Sequence, residues 1–140
     1  MARIRHIVFN TTDPERLAKF YVEVMGLKIQ QRAANGGISL TDGYINLAIL
    51  NWKTEADADV GANGPNYNGI HHFGFMVDDI EAHGEKLEKA GGTRLTHTAA
   101  PGTGGLFGMG RGPTGNAEVK FSGPDGVILD ISQSGWQVSL

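Results

Sequence analysis

The sequence predicts an α+β fold: two βαβββ modules form one curved mixed sheet around a central site, with the helices on its outer face. Three observations carry that expectation. First, two histidine-led segments repeat at an offset of 66 residues: His6-Ile-Val-Phe-Asn-Thr-Thr-Asp13 and His72-Phe-Gly-Phe-Met-Val-Asp-Asp79. Second, each runs into an amphipathic stretch that ends on glycine, at Gly26 and Gly91-Gly92. Third, each is followed by short alternating, β-rich segments separated by turn residues.

The elements follow in order. Residues 3–10 alternate and read as a strand. Asp13-Pro14-Glu15 starts a helix, with Asp as N-cap, Pro in the first turn and an acid beside it. Leu17, Phe20, Tyr21, Val24 and Met25 recur at helical spacing, and Gly26 ends the run. Residues 27–32 and 37–41 read as strands; Asp42-Gly43 is a hairpin turn leading into a strand over 44–50. The second half repeats the order: strand 70–77, a helix capped by Asp78-Asp79 with Ile80, Leu87 and Ala90 on its apolar face, strand 93–98, strand 119–122, a turn at Pro124-Asp125-Gly126, and strand 127–132. The chain of 140 residues is thus one domain, with module 1 over 1–51, a polar linker over 52–69 and module 2 over 70–135. Twenty-one glycines mark turns and one long irregular loop near 102–115. That loop lacks the flanking strand and helix of a phosphate-binding loop, so it reads as a flap over the site.

Composition excludes several classes of function. Net charge is -3, with no basic patch for nucleic acid. The chain has no cysteine, so thiolate metal sites, disulfides and cysteine nucleophiles are absent. No apolar run is long enough to span a membrane and no secretory signal is visible, so a cytoplasmic protein is expected.

Strand phase picks out the chemistry. Successive side chains of a strand point to opposite faces. If bulky residues face the helices, then His6, Val8 and Asn10 in the first strand lie on the other face. The same holds for His72, Gly74 and Met76 in its repeat, for Asn46 in the strand closing the first half, and for Asp130 in the last strand. A carboxylate amid Val-Ile-Leu-Asp-Ile is costly to desolvate unless it is paired or bound to metal. Two imidazoles and one carboxylate form a facial triad for a divalent ion, with positions left open. His71 falls in the helix-facing phase and reads as structural. His97, Trp52 and Trp136 read as surface or packing residues.

These residues resemble a known family. Arg5-His6-Ile-Val-Phe, Phe20-Tyr-Val-Glu-Val-Met-Gly-Leu27, His72-Phe-Gly-Phe-Met-Val-Asp-Asp79 and Pro124-Asp-Gly-Val-Ile-Leu-Asp130 are similar to the vicinal oxygen chelate superfamily, which includes glyoxalase I, type I extradiol dioxygenases, methylmalonyl-CoA epimerase and bleomycin-binding proteins. The resemblance implies metal ligands at His6, His72 and Asp130, with Asn46 as a weak further ligand and Asp130 also catalytic. Asn46 stands where glyoxalase I has a ligand glutamate, which weakens the lyase reading. The resemblance therefore implies a divalent-metal-dependent enzyme on a small oxygenated substrate, leaning to a dioxygenase with Fe(II), although Mn, Ni, Co or Zn also suit the donors. A glyoxalase- or epimerase-type lyase or isomerase is the alternative, and a metal-free small-molecule or antibiotic-binding protein the second. Asn10, Met76, Phe107, Arg111 and Lys120 are expected to line the substrate pocket. A homodimer is expected, with no nucleic-acid or membrane partner.

Overall fold

A computed structural model describes residues 1–34, 36–51, 68–95, 118–133, 136 and 138. The described elements are β1 (Arg3–Thr11), α1 (Pro14–Met25), β2 (Lys28–Arg32), β3 (Ile38–Thr41), β4 (Asn46–Asn51), β5 (Gly69–Met76), α2 (Ile80–Lys89), β6 (Thr93–Arg94), β7 (Glu118–Ser122) and β8 (Ile128–Ser132), with a 3-10 turn at Pro124–Gly126 before β8. The strands form one mixed sheet in the order β2-β3-β4-β1-β5-β8-β7-β6. The α+β architecture expected from the repeat is present, and the sheet is curved without closing into a barrel.

Both helices start by the same device. The Asp13 side chain accepts from the Arg16 amide at 3.0 Å, and the Asp79 side chain from the Ala82 amide at 2.9 Å, each satisfying one of the amides that a first helical turn leaves open. Gly26 ends α1 in the left-handed conformation, at φ 76°, which an L-residue adopts only with strain. Each helix covers its own half of the sheet. Ala18 packs with Ile38, Leu40, Leu47 and Ile49, flanked by Phe9, Leu17 and Tyr21. Ile80 and Leu87 of α2 pack against a core of Val77, Val119, Phe121 and Ile131. These are the residues that strand alternation assigns to the helix side.

Some boundaries differ from the sequence expectation. β4 begins at Asn46 instead of Tyr44, because the Asp42 carboxylate accepts from the amides of Tyr44 and Ile45, at 2.8 and 2.7 Å, and draws them into the turn. Asn51 closes β4 and Gly69 opens β5. Residues 52–67, the outer part of the strand expected over 93–98, and the Gly-rich loop lie outside the described residues.

The two halves meet at β1 and β5, which pair antiparallel at the middle of the sheet, while β1–β4 and β5–β8 pair parallel on either side. His6 stands opposite Asn46 on one side and Gly74 on the other; Val8 stands opposite His72. The β1–β5 ladder shifts register twice. One shift leaves Arg5 as an extra residue in β1, immediately before His6. The other leaves His71 as an extra residue in β5, immediately before His72. A bulge of this kind re-aims side chains that strict alternation would separate.

Candidate metal centre

His6, His72 and Asp130 come together on the face of the sheet away from the helices, with one possible ligand atom from each within 4.8 Å of the others. All three are buried, at 7, 7 and 2% exposure. The parallel pairings of β1 with β4 and of β5 with β8 bring Asn46 beside His6 and Asp130 opposite Gly74, one pleat from His72.

Hydrogen bonding fixes the state of His6. Its Nδ1 lies 2.6 Å from Asn46 Oδ1, and Asn46 Nδ2 donates to Ser39 Oγ at 2.6 Å. An amide oxygen can only accept, so Nδ1 carries the proton and Nε2 keeps its lone pair. Asn46 thus holds the His6 ring in the tautomer that offers Nε2 as a ligand, the role an outer-sphere partner plays at metal-bound histidines. This is a different position for Asn46 from the weak ligation expected. Burial, aided by the neighbouring His72, lowers the His6 pKa to about 3, so the ring stays neutral.

His72 Nε2 lies 3.0 Å from Asp130 Oδ2. Its own pKa is lowered by burial, which outweighs the nearby Asp130 carboxylate. The extra residue His71 does not take the helix-facing position that alternation implies. Its ring meets the His72 ring edge to face at a centroid distance of 4.7 Å, with the two Nδ1 atoms in contact; the bulge turns it there. Burial alone would raise the Asp130 pKa; the Lys120 ammonium and the His72 hydrogen bond reverse this and hold the carboxyl below its ordinary range. Lys120, expected at the substrate, has its Nζ 2.6 Å from Asp130 Oδ1.

The donor chemistry fits a divalent ion. Two neutral imidazoles and an ionised carboxylate are the protonation states that ligation needs. His72 Nε2 donates to Asp130 Oδ2 in this arrangement, so ligation through Nε2 would need the other neutral tautomer, with the ring proton on Nδ1. Any ligation would use His6, His72 and Asp130.

Four further features were not legible as site residues. Trp136 stacks on His6 with ring centroids 4.5 Å apart and planes 9° from parallel, and is 2% exposed. Ser39 anchors Asn46. Gly74 leaves the space that the indole enters. Glu118 stands opposite Ser132, two residues from Lys120 and on the same face of β7. Water reaches its side chain, yet surrounding protein and the Asp130 charge push its pKa up to about 7, against the pull of Lys120. The Trp136 indole N–H lies near Glu118 without closing to a hydrogen bond. Of the expected pocket residues, Asn10 is fully buried on the site face and, among the described residues, neither polar atom of its side-chain amide has a hydrogen-bond partner. Met76 is half-buried at the end of β5. Phe107, Arg111, His97 and Trp52 lie outside the described residues.

The model of the Glyoxalase/Bleomycin resistance protein/Dioxygenase superfamily matches residues 3–131. The chain belongs to this superfamily. A curated relative, the "probable lactoylglutathione lyase" of Vibrio parahaemolyticus, is 29% identical over 94% of this chain and 91% of its own. Among solved structures, a methylmalonyl-CoA epimerase from Streptomyces coelicolor superposes with a TM-score of 0.68 at 22% identity, covering 99% of this chain and 98% of that one. The 2,3-dioxygenase LapB from Pseudomonas sp. KL28 superposes at 0.65 and 22% identity, covering 98% of this chain but 42% of the dioxygenase. At that identity the two superpositions establish the glyoxalase fold and no more. Among the described residues, no helix of this superfamily member is long and apolar enough to cross a membrane.

Proposed function

We propose that the chain is a divalent-metal-dependent enzyme that moves a proton on a small substrate with two adjacent oxygens, as a lyase or isomerase of the glyoxalase kind does. The observation that carries this reading is the buried cluster of His6, His72 and Asp130. A divalent ion held there would polarise a carbonyl oxygen and make the neighbouring carbon acidic. Asn46 and Ser39 keep His6 ready to bind, and Lys120 holds Asp130. Glu118 supplies the acid–base group: a carboxyl with a pKa near 7, on the site face of the neighbouring strand, takes up and returns a proton at neutral pH. It provides the second acid that Asn46 does not, and so restores the lyase reading that the sequence weakened. The likeness to the Vibrio lyase, over nearly the whole of both chains, supports the same reading.

Asn10 belongs to this proposal as a substrate contact. A buried amide with neither donor nor acceptor satisfied is unfavourable, and a polar substrate group reaching it would relieve that. Met76, Phe107 and Arg111 complete the proposed pocket. The reading also takes the chain as cytoplasmic and homodimeric, with units 1–51 and 70–135 each carrying its own helix-side core.

The second reading is a dioxygenase using Fe(II), which the two-histidine, one-carboxylate donor set supports. One experiment separates the readings. Metal content of the purified protein is measured, then deuterium incorporation from solvent into lactoylglutathione and methylmalonyl-CoA, then oxygen uptake with a panel of catechols. Metal-dependent exchange supports the lyase or isomerase; metal-dependent oxygen uptake without exchange overturns it in favour of the dioxygenase. Ligand binding that is indifferent to EDTA and to His6→Ala overturns both and leaves a metal-free binding protein.

A further inference from the structure

Lys120 stands opposite Asp130 in the β7–β8 ladder. Its strand neighbours Val119 and Phe121 are buried in the helix-side core, so Lys120 projects to the site face. There it makes an ion pair with Asp130 at 2.6 Å, the two side chains being 12 and 2% exposed. The carboxylate's other oxygen, Oδ2, faces His72 Nε2 at 3.0 Å. The two oxygens therefore have separate duties: Oδ1 is taken by a resident cation, and Oδ2 is directed at the imidazole donors.

Charge follows from this division. The imidazoles are neutral, and Asp130 and Lys120 cancel each other. A divalent ion entering alone would leave two positive charges uncompensated while Glu118 is protonated, and one even with Glu118 ionised, in a buried place where charge is poorly solvated. An anionic ligand bound with the ion would remove that excess.

We propose that Lys120 is a positioning residue that makes divalent-ion binding conditional on a dianionic ligand with two adjacent oxygens. By occupying Oδ1 it leaves Asp130 one oxygen to offer, so two nitrogens and one oxygen serve as ligands and the remaining positions stay open to the ligand's oxygen pair. By its charge it weakens the ion's affinity in the ligand's absence. The coupling is reciprocal: the ion tightens the anion as much as the anion tightens the ion. The proposal rests on His6, His72 and Asp130 being the ligands.

The test is calorimetric Mn²⁺ binding to the intact chain, with and without saturating oxalate as the dianionic probe, corrected for the manganese–oxalate complex in solution. For the unaltered protein, oxalate is expected to tighten Mn²⁺ by about tenfold or more, a gain of about 1.4 kcal/mol per decade. Lys120→Met is expected to bind Mn²⁺ about tenfold tighter without oxalate and to lose most of the oxalate effect. Lys120→Arg, which keeps the charge, should behave as the unaltered protein. Mn²⁺ should also raise the melting temperature of Lys120→Met more than that of the parent, because it takes over from the lost cation at Asp130. If the parent binds Mn²⁺ but oxalate leaves its affinity unchanged, or if folded Lys120→Met binds it no tighter, the proposal is overturned while the metal reading stands. If no variant binds Mn²⁺ with or without oxalate, the metal reading itself falls and the proposal with it. Should Lys120→Met not fold, as judged by circular dichroism, the oxalate dependence of the parent and of Lys120→Arg decides the matter.

Discussion

Gly74 and Trp136 compete for one volume: a Cβ on Gly74 would lie 2.3 Å from Trp136 Cη2 and 2.6 Å from Cζ2. The same Cβ would lie 2.7 Å from the Cβ of His6. The indole is held between this bare stretch of β5 and the His6 ring on which it stacks. All three partners are buried, so the clash can be relieved only by displacing one of them from its packing. Gly74→Ala is therefore expected to destabilise the fold by about 1–3 kcal/mol, the range for overpacking, and to push the indole outward. Thermal melting and tryptophan emission report the two effects; an unchanged melting temperature would contradict the packing described.

Asn46 links Ser39 to His6 through two buried hydrogen bonds of 2.6 Å each. Asn46→Ala leaves the His6 N–H without its acceptor and frees the ring to turn. The expected loss is about 1–3 kcal/mol of stability and about 10–100-fold in metal affinity. Denaturant titration and calorimetry measure these separately. A variant that loses stability but keeps full affinity would show that Asn46 packs the strand without orienting the imidazole.

Acid should unfold the protein by way of the same cluster. The His6 pKa is lowered from 6.5 to about 3, first by burial and then by His72. Between those values the unfolded chain binds more protons than the folded one, so stability falls as pH drops from 6.5 towards 3 and gains nothing more above 6.5. His72 shifts in the same direction. Asp130, held below its ordinary 3.8, adds a further loss below that pH. His6→Gln should flatten the decline between pH 6.5 and 4 in a series of denaturation midpoints. An equally steep decline in the variant would assign the acid sensitivity to other groups.

Glu118 separates chemistry from stability. Its ionised form is disfavoured in the folded state, so Glu118→Gln should not destabilise the protein at neutral pH and should stabilise it as pH rises above 7. As the acid–base group its loss should lower turnover by about 10²–10⁴-fold, and the ionisation near pH 7 should vanish from the rate profile. A variant that keeps turnover and its pH profile would remove Glu118 from the mechanism.

The fold was legible because helix-facing residues alternate in β3, β4, β7 and β8. The same phase located His6, His72 and Asp130, since a repeat offset and a two-residue period are both local patterns. What lay beyond reading depends on contacts between distant segments. Trp136 reaches His6 only because the chain returns over Gly74, and nothing near either residue encodes that return. Ser39 matters through the β3–β4 register, which sets it opposite Ala48, two residues along from the Thr41–Asn46 end of the ladder and so on the same face as Asn46. His71 escaped because alternation assumes an unbroken ladder, and a bulge breaks it. The Glu118 pKa belongs to its surroundings, and no motif carries it.

The strand order β4-β1-β5-β8 also governs when the ligand cluster can exist. His6 lies in the first described strand and Asp130 in the last, so nearly the whole chain separates two of the candidate ligands. Closing so long a loop is slow and comes late. An ion cannot then act as the seed on which this sheet assembles: both helix-covered cores must form and join along β1 and β5 before three donors stand together. A metal ion, if these three residues hold one, would find its donors together only once β1, β5 and β8 are paired.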